Sequence, residues 1–158
     1  MSAWKNPPKI KIYEALSALT SGRIHVDGDN AKVDSSDKTK TYDVEYEEST
    51  NAITANDNGS YWQGYLGYPA IAYLLAVGVV KFDKSVADAL ASVEWNKINK
   101  LTNRNYDQSI EYALTRASSA GFDVELIKTQ VAEISSQLEK LGLVKLGKTA
   151  KPPKPHTT

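Results

Sequence analysis

Between Asn56 and Tyr73 the chain places Asp57 ahead of a run of aromatic residues: Tyr61, Trp62, Tyr65, Tyr68 and Tyr73. Rings at such density can form a stacking platform for flat ligands such as bases. Tyr61, Trp62, Tyr65 and Tyr68 are therefore the candidate binding residues, and Asp57 is the carboxylate through which an enzyme built on this loop would act. No Lys or Arg interrupts Asn58 to Val80, so the loop lacks the cations that accompany aromatic residues in nucleic-acid grooves. The alternative is aromatic packing of the loop onto the rest of the fold. Asn56-Asp57-Asn58-Gly59 is by composition first of all a turn.

The other reactive residue types do not assemble into a catalytic set. The chain has no cysteine and two histidines. Disulfides, thiolate zinc sites and Cys nucleophiles are thereby excluded. His25 sits between Ile24 and Val26, where strand alternation turns it away from their shared face, and His156 lies near the C-terminus. Asp43 and Glu45 share a strand face, but an alternating acidic strand is normally the wet side of a sheet. Asp27-Gly28-Asp29-Asn30 has the composition of a calcium loop without its further ligands or terminal glutamate. Gly64-Tyr65-Leu66-Gly67 lacks the Lys and Ser/Thr of a phosphate loop. No catalytic residues, metal ligands or cofactor are assigned, and the chain is expected not to be an enzyme.

The elements that must carry these residues follow from periodicity. Ile10, Tyr13, Leu16 and Leu19 fall at steps of three behind Pro7-Pro8, one face of a helix that stops near Ser21 and Gly22. The period then changes to two: Ile24 and Val26 flank His25, and Tyr42, Val44 and Tyr46 alternate with acids. Turn-forming clusters at 27–30 and 48–51 make residues 23–57 an antiparallel meander of three or four strands ending with Ala52 to Ala55. Pro69 to Val77 reads as a buried helix, with Pro69 in the first turn and Gly78 as its stop. A membrane span across the uncharged stretch is disfavoured, because Gly64, Gly67 and Pro69 interrupt it well short of the roughly 20 apolar residues a bilayer requires.

Beyond Val80 the pattern is helical: Ser85 to Ala91, Glu94 to Leu101 and Tyr106 to Ser119, the last closed by Ala120-Gly121. Asp123 then has N-cap chemistry and Gly142 ends the helix it opens. Within it Val124, Ile127, Val131, Ile134, Leu138 and Leu141 are spaced 3-4-3-4-3, a narrow heptad seam. Tyr106, Ile110, Ala113 and Ala117 offer a matching stripe, so an internal antiparallel hairpin is one way to cover it. A homodimeric or heterodimeric coiled coil is the other, which makes the six seam residues candidates for association.

The expected fold class is α+β: an N-terminal helix, an antiparallel meander and a buried helix in residues 1–80, a helical extension packed on them in 81–142, and a flexible Lys/Pro-rich tail in 143–158. The tail carries four lysines and no acid, whereas the whole chain balances 19 basic against 19 acidic residues. Overall neutrality removes the usual electrostatic footprint of a nucleic-acid binder. The first residues lack the apolar core of a signal peptide, and cytoplasmic residence is the default.

The order of Arg23 to Val26, Ala31 to Ser36, Tyr42 to Tyr46, Ala52 to Ala55, a loop and the apolar helix Tyr68 to Ala76 resembles a SWIM-type zinc-binding domain over residues 10–75. That family places Cys-x-Cys after the last strand and Cys-x-His at the helix start. Here the matching positions around Ala55 to Asp57, and Tyr68 and Ala70, hold no zinc ligand, so the resemblance is to a degenerate, metal-free form. It implies a binding module acting through protein–protein interaction or self-association, with no cofactor. Residues 58–68 would then replace the metal tie by apolar packing, with Trp62 as its main contributor. The alternative partner is DNA, with the tail and lysines such as Lys38 and Lys40 on phosphate; the remaining alternative is an enzyme of unknown reaction.

Overall fold

The computed structural model describes residues 2–156. Helix α1 spans Lys9–Thr20 and is followed by strands β1 (Ile24–Asp27), β2 (Asn30–Asp34), β3 (Thr41–Glu47) and β4 (Ala52–Ala55). A π-helical turn at Gly59–Gln63 leads to α2 (Tyr68–Ala76), then α3 (Lys84–Ala89), α4 (Trp95–Leu101), α5 (Tyr106–Ser119), α6 (Val124–Leu141) and β5 (Val144–Lys145). The fold is mixed α+β. No helix among the described residues is long and apolar enough to cross a membrane.

The strands form one sheet in chain order, β1 to β4 antiparallel and β5 parallel to β4. Alternation works as expected in β2 and β3, where Ala31, Val33, Tyr42 and Val44 are buried and Lys32, Asp43 and Glu45 are exposed. It fails in β1. Ile24 packs against the core, but Val26 is 44% exposed, because β1 is the free end of the sheet, with a neighbour on one side only.

Helix α2 lies across the sheet, touching β1 through β4, and α1 lies on α2. The periodicity of α1 suggests a single apolar face, yet Ile10, Ile12, Tyr13, Ala15, Leu16 and Ala18 are all buried, together with Glu14 and Ser17. The reason is position: α1 is the central helix, with α2 on one side and α3, α5 and α6 on others. Small residues at 15, 17 and 18 let neighbours approach closely. Ser17 Oγ donates to the Leu90 carbonyl at 2.7 Å and accepts from Trp95 Nε1 at 2.8 Å, so its hydroxyl is fully satisfied.

The seam of α6 is covered inside the chain. Ile127, Val131, Ile134 and Leu138 are buried, Val124 and Leu141 pack at its ends, and α1, α3 and α5 supply the contacts. The expected hairpin partner α5 is thus one of three. The four buried residues are covered within the chain, which corrects their assignment to association, and Val124 and Leu141 are half-buried against the same core; an apolar stripe is buried by whatever face lies nearest, and here that is chiefly α1. Asp123 caps the helix, its carboxylate accepting from the amides of Glu125 and Leu126, and Gly142 ends it at φ +57°.

The core crosses residue 80, and the C-terminal segment begins with ordered structure. One apolar cluster contains Val44, Ile71 and Leu74 together with Trp95, Ile127 and Ile134, so packing is continuous across residue 80. The tail does not begin at 143: Leu143 is buried, and Val144 and Lys145 pair with Ala52 and Ile53. The free edge of β4 has unpaired backbone groups, and α6 ends close enough to deliver this short strand to them. On the far side Ala3 bridges Val144, and the Trp4 indole donates to the Ile53 carbonyl at 2.9 Å. Further along, His156 returns to the surface at the β2–β3 turn, its amide donating to the Thr39 carbonyl.

Candidate functional site

A cleft of about 520 Å³ opens where the sheet half of the molecule meets the helical half. Helix α1 contributes Lys11 and Glu14, one turn apart on the same face. The β3 start contributes Tyr42, and the loop after β4 contributes Asp57, Asn58, Gly59, Trp62, Gln63 and Tyr65, with Tyr68 opening α2. Across from them stand Asn96, Asn99 and Lys100 of α4, Arg104 beyond it, and Tyr106 at the start of α5.

Glu14 is only 6% exposed. Its carboxylate accepts from Lys11 Nζ at 3.2 Å and from Asn99 Nδ2 at 3.4 Å. Burial pushes the Glu14 carboxyl above its ordinary range, with Lys11 and Asn99 pulling it back. Burial by itself would lower the Lys11 ammonium; Glu14, with Tyr65 and Tyr106, outweighs that and holds it charged. The amide oxygen of Asn99 is buried with no hydrogen-bond partner, sealed behind the surface of the cleft.

Asp57 is buried beneath the aromatic loop. Its carboxylate accepts from the Ser60 amide at 3.2 Å and the Ser60 hydroxyl at 2.6 Å, fixing the start of the π-helical turn. Burial raises its pKa against those two hydrogen bonds. A Cβ on Gly67 would lie 1.8 Å from Asp57 Oδ2, so only glycine permits this approach. Gly59 is required in the same way, since a Cβ there would meet the Tyr65 ring at 2.4 Å. Burial pushes the phenol of Tyr42 up to about 12, with Asp57 and Glu14 adding to it, and raises those of Tyr65 and Tyr68. All three present neutral O–H groups at physiological pH.

Of the four aromatic candidates, Trp62, Tyr65 and Tyr68 line the cleft. Tyr61 stands behind, its ring edge-on to Trp62 at 4.7 Å. Tyr73 belongs elsewhere, its hydroxyl donating to the Gly28 carbonyl at 2.9 Å. Trp62 is 70% exposed. It is therefore not the packing element that ties strand end to helix start; that tie is made by Asp57 with Ser60 and Gly67, and by the buried Leu66. A ring projecting from a loop wall buries little area on folding, which leaves it free for a ligand.

His25 and the Asp43–Glu45 face stay outside the cleft. The His25 ring lies 3.8 Å from Asp34 on the surface, and Asp43 pairs with Lys32. Among the described residues no cluster of three His, Asp or Glu side chains is arranged to hold a metal ion. Sequence reasoning missed Lys11, Glu14, Asn99, Lys100, Arg104 and Tyr106. One signal was available: Lys11 and Glu14 form a charged i, i+3 pair inside a segment whose every other turn is apolar.

Residues 4–144 match the family model described as Uncharacterised conserved protein UCP014422. The chain belongs to that family. Its matched span runs from the Trp4 segment through β5, so both halves that wall the cleft lie within it. No curated protein and no solved structure matches the chain.

Proposed function

We propose that this is a binding protein whose aromatic loop, with α1 and α4, holds a small polar ligand that has a flat face. The observation that carries this is the Lys11–Glu14 pair buried in the wall of an open cleft that an exposed tryptophan also lines. A buried ion pair is seldom worth more to stability than an apolar replacement, so its presence at a concave surface is better explained by recognition. The loop is the binding element that the aromatic spacing suggests. The occupant is narrowed from a protein to a small molecule, because Trp62, Tyr65 and Tyr68 border a concavity of ligand size. The metal-free SWIM-like description remains compatible with this use of the loop.

Fragment mapping on the isotope-labelled protein tests the proposal. Small polar aromatic fragments should shift the Trp62 indole and the Asn99 side-chain amide together, with hits clustering in this cleft. Hits scattered over the surface, with none there, would overturn it.

A specific observation favours a second role, proton transfer to a bound ligand. Glu14 and Asp57 are two buried carboxyls with raised pKa bordering one cleft, and such groups suit general acid work. Under this role Glu14→Gln would lose turnover at saturating ligand, whatever it does to affinity. Equal turnover in the variant would dismiss it.

A further inference from the structure

Three cations line the cleft, Lys11, Lys100 and Arg104, against two carboxyls, Glu14 and Asp57. Lys11 is taken by Glu14 at 3.2 Å, and Asp57 is occupied with Ser60. Lys100 and Arg104 form no ion pair among the described residues. Both are exposed and line the same cleft as Trp62.

Arg104 is placed there by an unusual backbone. Asn103 at φ +53° and Arg104 at φ +60° are consecutive left-handed residues, neither of them glycine. Asparagine adopts that region readily; arginine does not. The Arg104 amide donates to the Asn99 carbonyl at 2.7 Å, so the turn folds back on the last residues of α4 and brings Arg104 to the cleft that Lys100 also lines. A helix C-terminus favours cations in its last turn, which accounts for Lys100 as a charge. It does not account for a second cation held in a left-handed conformation at the rim of a cleft.

We propose that the ligand is a small organic oxyanion, a phosphate or carboxylate, whose anionic group lies between Lys100 and Arg104 while its flat body rests against Trp62. Lys11, held by Glu14, and the Tyr65 hydroxyl then read the polar edge of that body. Arg forks onto oxyanions with two parallel N–H donors, and an adjacent Lys adds a point charge. This rests on the cleft being the binding site.

The test uses the full chain, isotope-labelled, at low ionic strength. Inorganic phosphate and acetate are titrated separately, followed by adenosine and adenosine monophosphate. The expected result is a saturable millimolar response to phosphate or acetate confined to residues 99–106 and the Trp62 indole. The stronger of the two ions identifies the anionic group. Adenosine monophosphate should bind at least tenfold more tightly than adenosine if phosphate is preferred, and 0.5 M salt should remove that difference by screening. Lys100→Gln and Arg104→Asn should each abolish most of the response; asparagine keeps the left-handed turn comfortable, and Lys100 sits on a regular helix, so both should fold. No localised response to either ion, or an equal response in both variants, overturns the oxyanion. If neutral fragments still gather in the cleft after such a failure, the cleft stands without it; if they do not, both fall.

Discussion

The α6 seam and the aromatic loop are the two regions whose residue types point most directly to contact with another molecule, and the fold treats them in opposite ways. In α6 the apolar residues are continuous along one stripe and, Leu126 apart, the remaining faces are polar or small. Such a helix gains by turning the whole stripe inward, and α1, α3 and α5 receive it. Gln130 and Gln137 on its polar side then hold the 81–83 segment, accepting from the Asp83 and Lys81 amides. The loop mixes rings with Asn58, Ser60, Gln63 and glycines, and has no single apolar face to bury. Its anchor is polar, Asp57 on Ser60, so the rings are left along a cleft. A strong hydrophobic pattern therefore predicts burial better than it predicts binding, whereas a ring set among polar residues on a short loop is more often left exposed.

The contrast can be broken most severely by removing α6. A chain ending at Gly121 uncovers α1 and should fail to fold, measured as loss of cooperative thermal unfolding by circular dichroism. A folded monomer of that length would show the seam to be dispensable. Ile134→Ala, at a fully buried position, should cost about 2 to 5 kcal/mol in denaturant unfolding by the usual cavity effect.

On the loop side, Gly67→Ala drives a methyl into the Asp57 carboxylate. It should destabilise by about 1 to 3 kcal/mol as an overpacked site. The Asp57→Asn background should relieve little of that loss, because the amide occupies the same space.

The buried carboxyls also give the loop side a pH signature. Glu14 and Asp57 have folded pKa values above their unfolded ones, near 4.5 and 3.8. The folded chain therefore takes up these protons first as pH falls. Their contribution to stability is fully present below the unfolded values and is lost as pH rises through the raised ones. Denaturant unfolding from pH 7 down to pH 4 should show this gain, and Asp57→Asn should flatten its share of it. An unchanged profile would mean that Asp57 is ordinary in the folded chain.

The smallest effect on stability is expected at the residue most exposed to a ligand. Trp62→Ala should change unfolding free energy by less than about 0.5 kcal/mol, as for other surface substitutions, while removing fragment binding in the cleft. A large loss of stability would return Trp62 to the packing role that the sequence suggests for it.

Local structure was legible because its causes are local. The α5 limits, the Asp123 cap, the Gly142 stop and the alternation of β2 and β3 depend on residues within a few positions of each other. Half of the cleft was legible too, since Asp57, Trp62, Tyr65 and Tyr68 are close in the chain. The other half was not. Lys11 and Glu14 meet Asn99, Arg104 and Tyr106 only after α4 and α5 have packed beside α1, across some 90 residues of chain.

By itself the sequence determined the α+β class, the order of the helices and of strands β1 to β4, the helix stops and the Asp123 cap, because periodicity, glycine stops and capping side chains act through the backbone nearby. Tertiary structure alone decided that α1 is central, that the α6 seam is covered from within, that β5 completes the sheet and that a buried ion pair and an exposed tryptophan line one cleft. Those outcomes depend on which faces meet, and a face acquires its neighbour only when the whole chain has packed around one core.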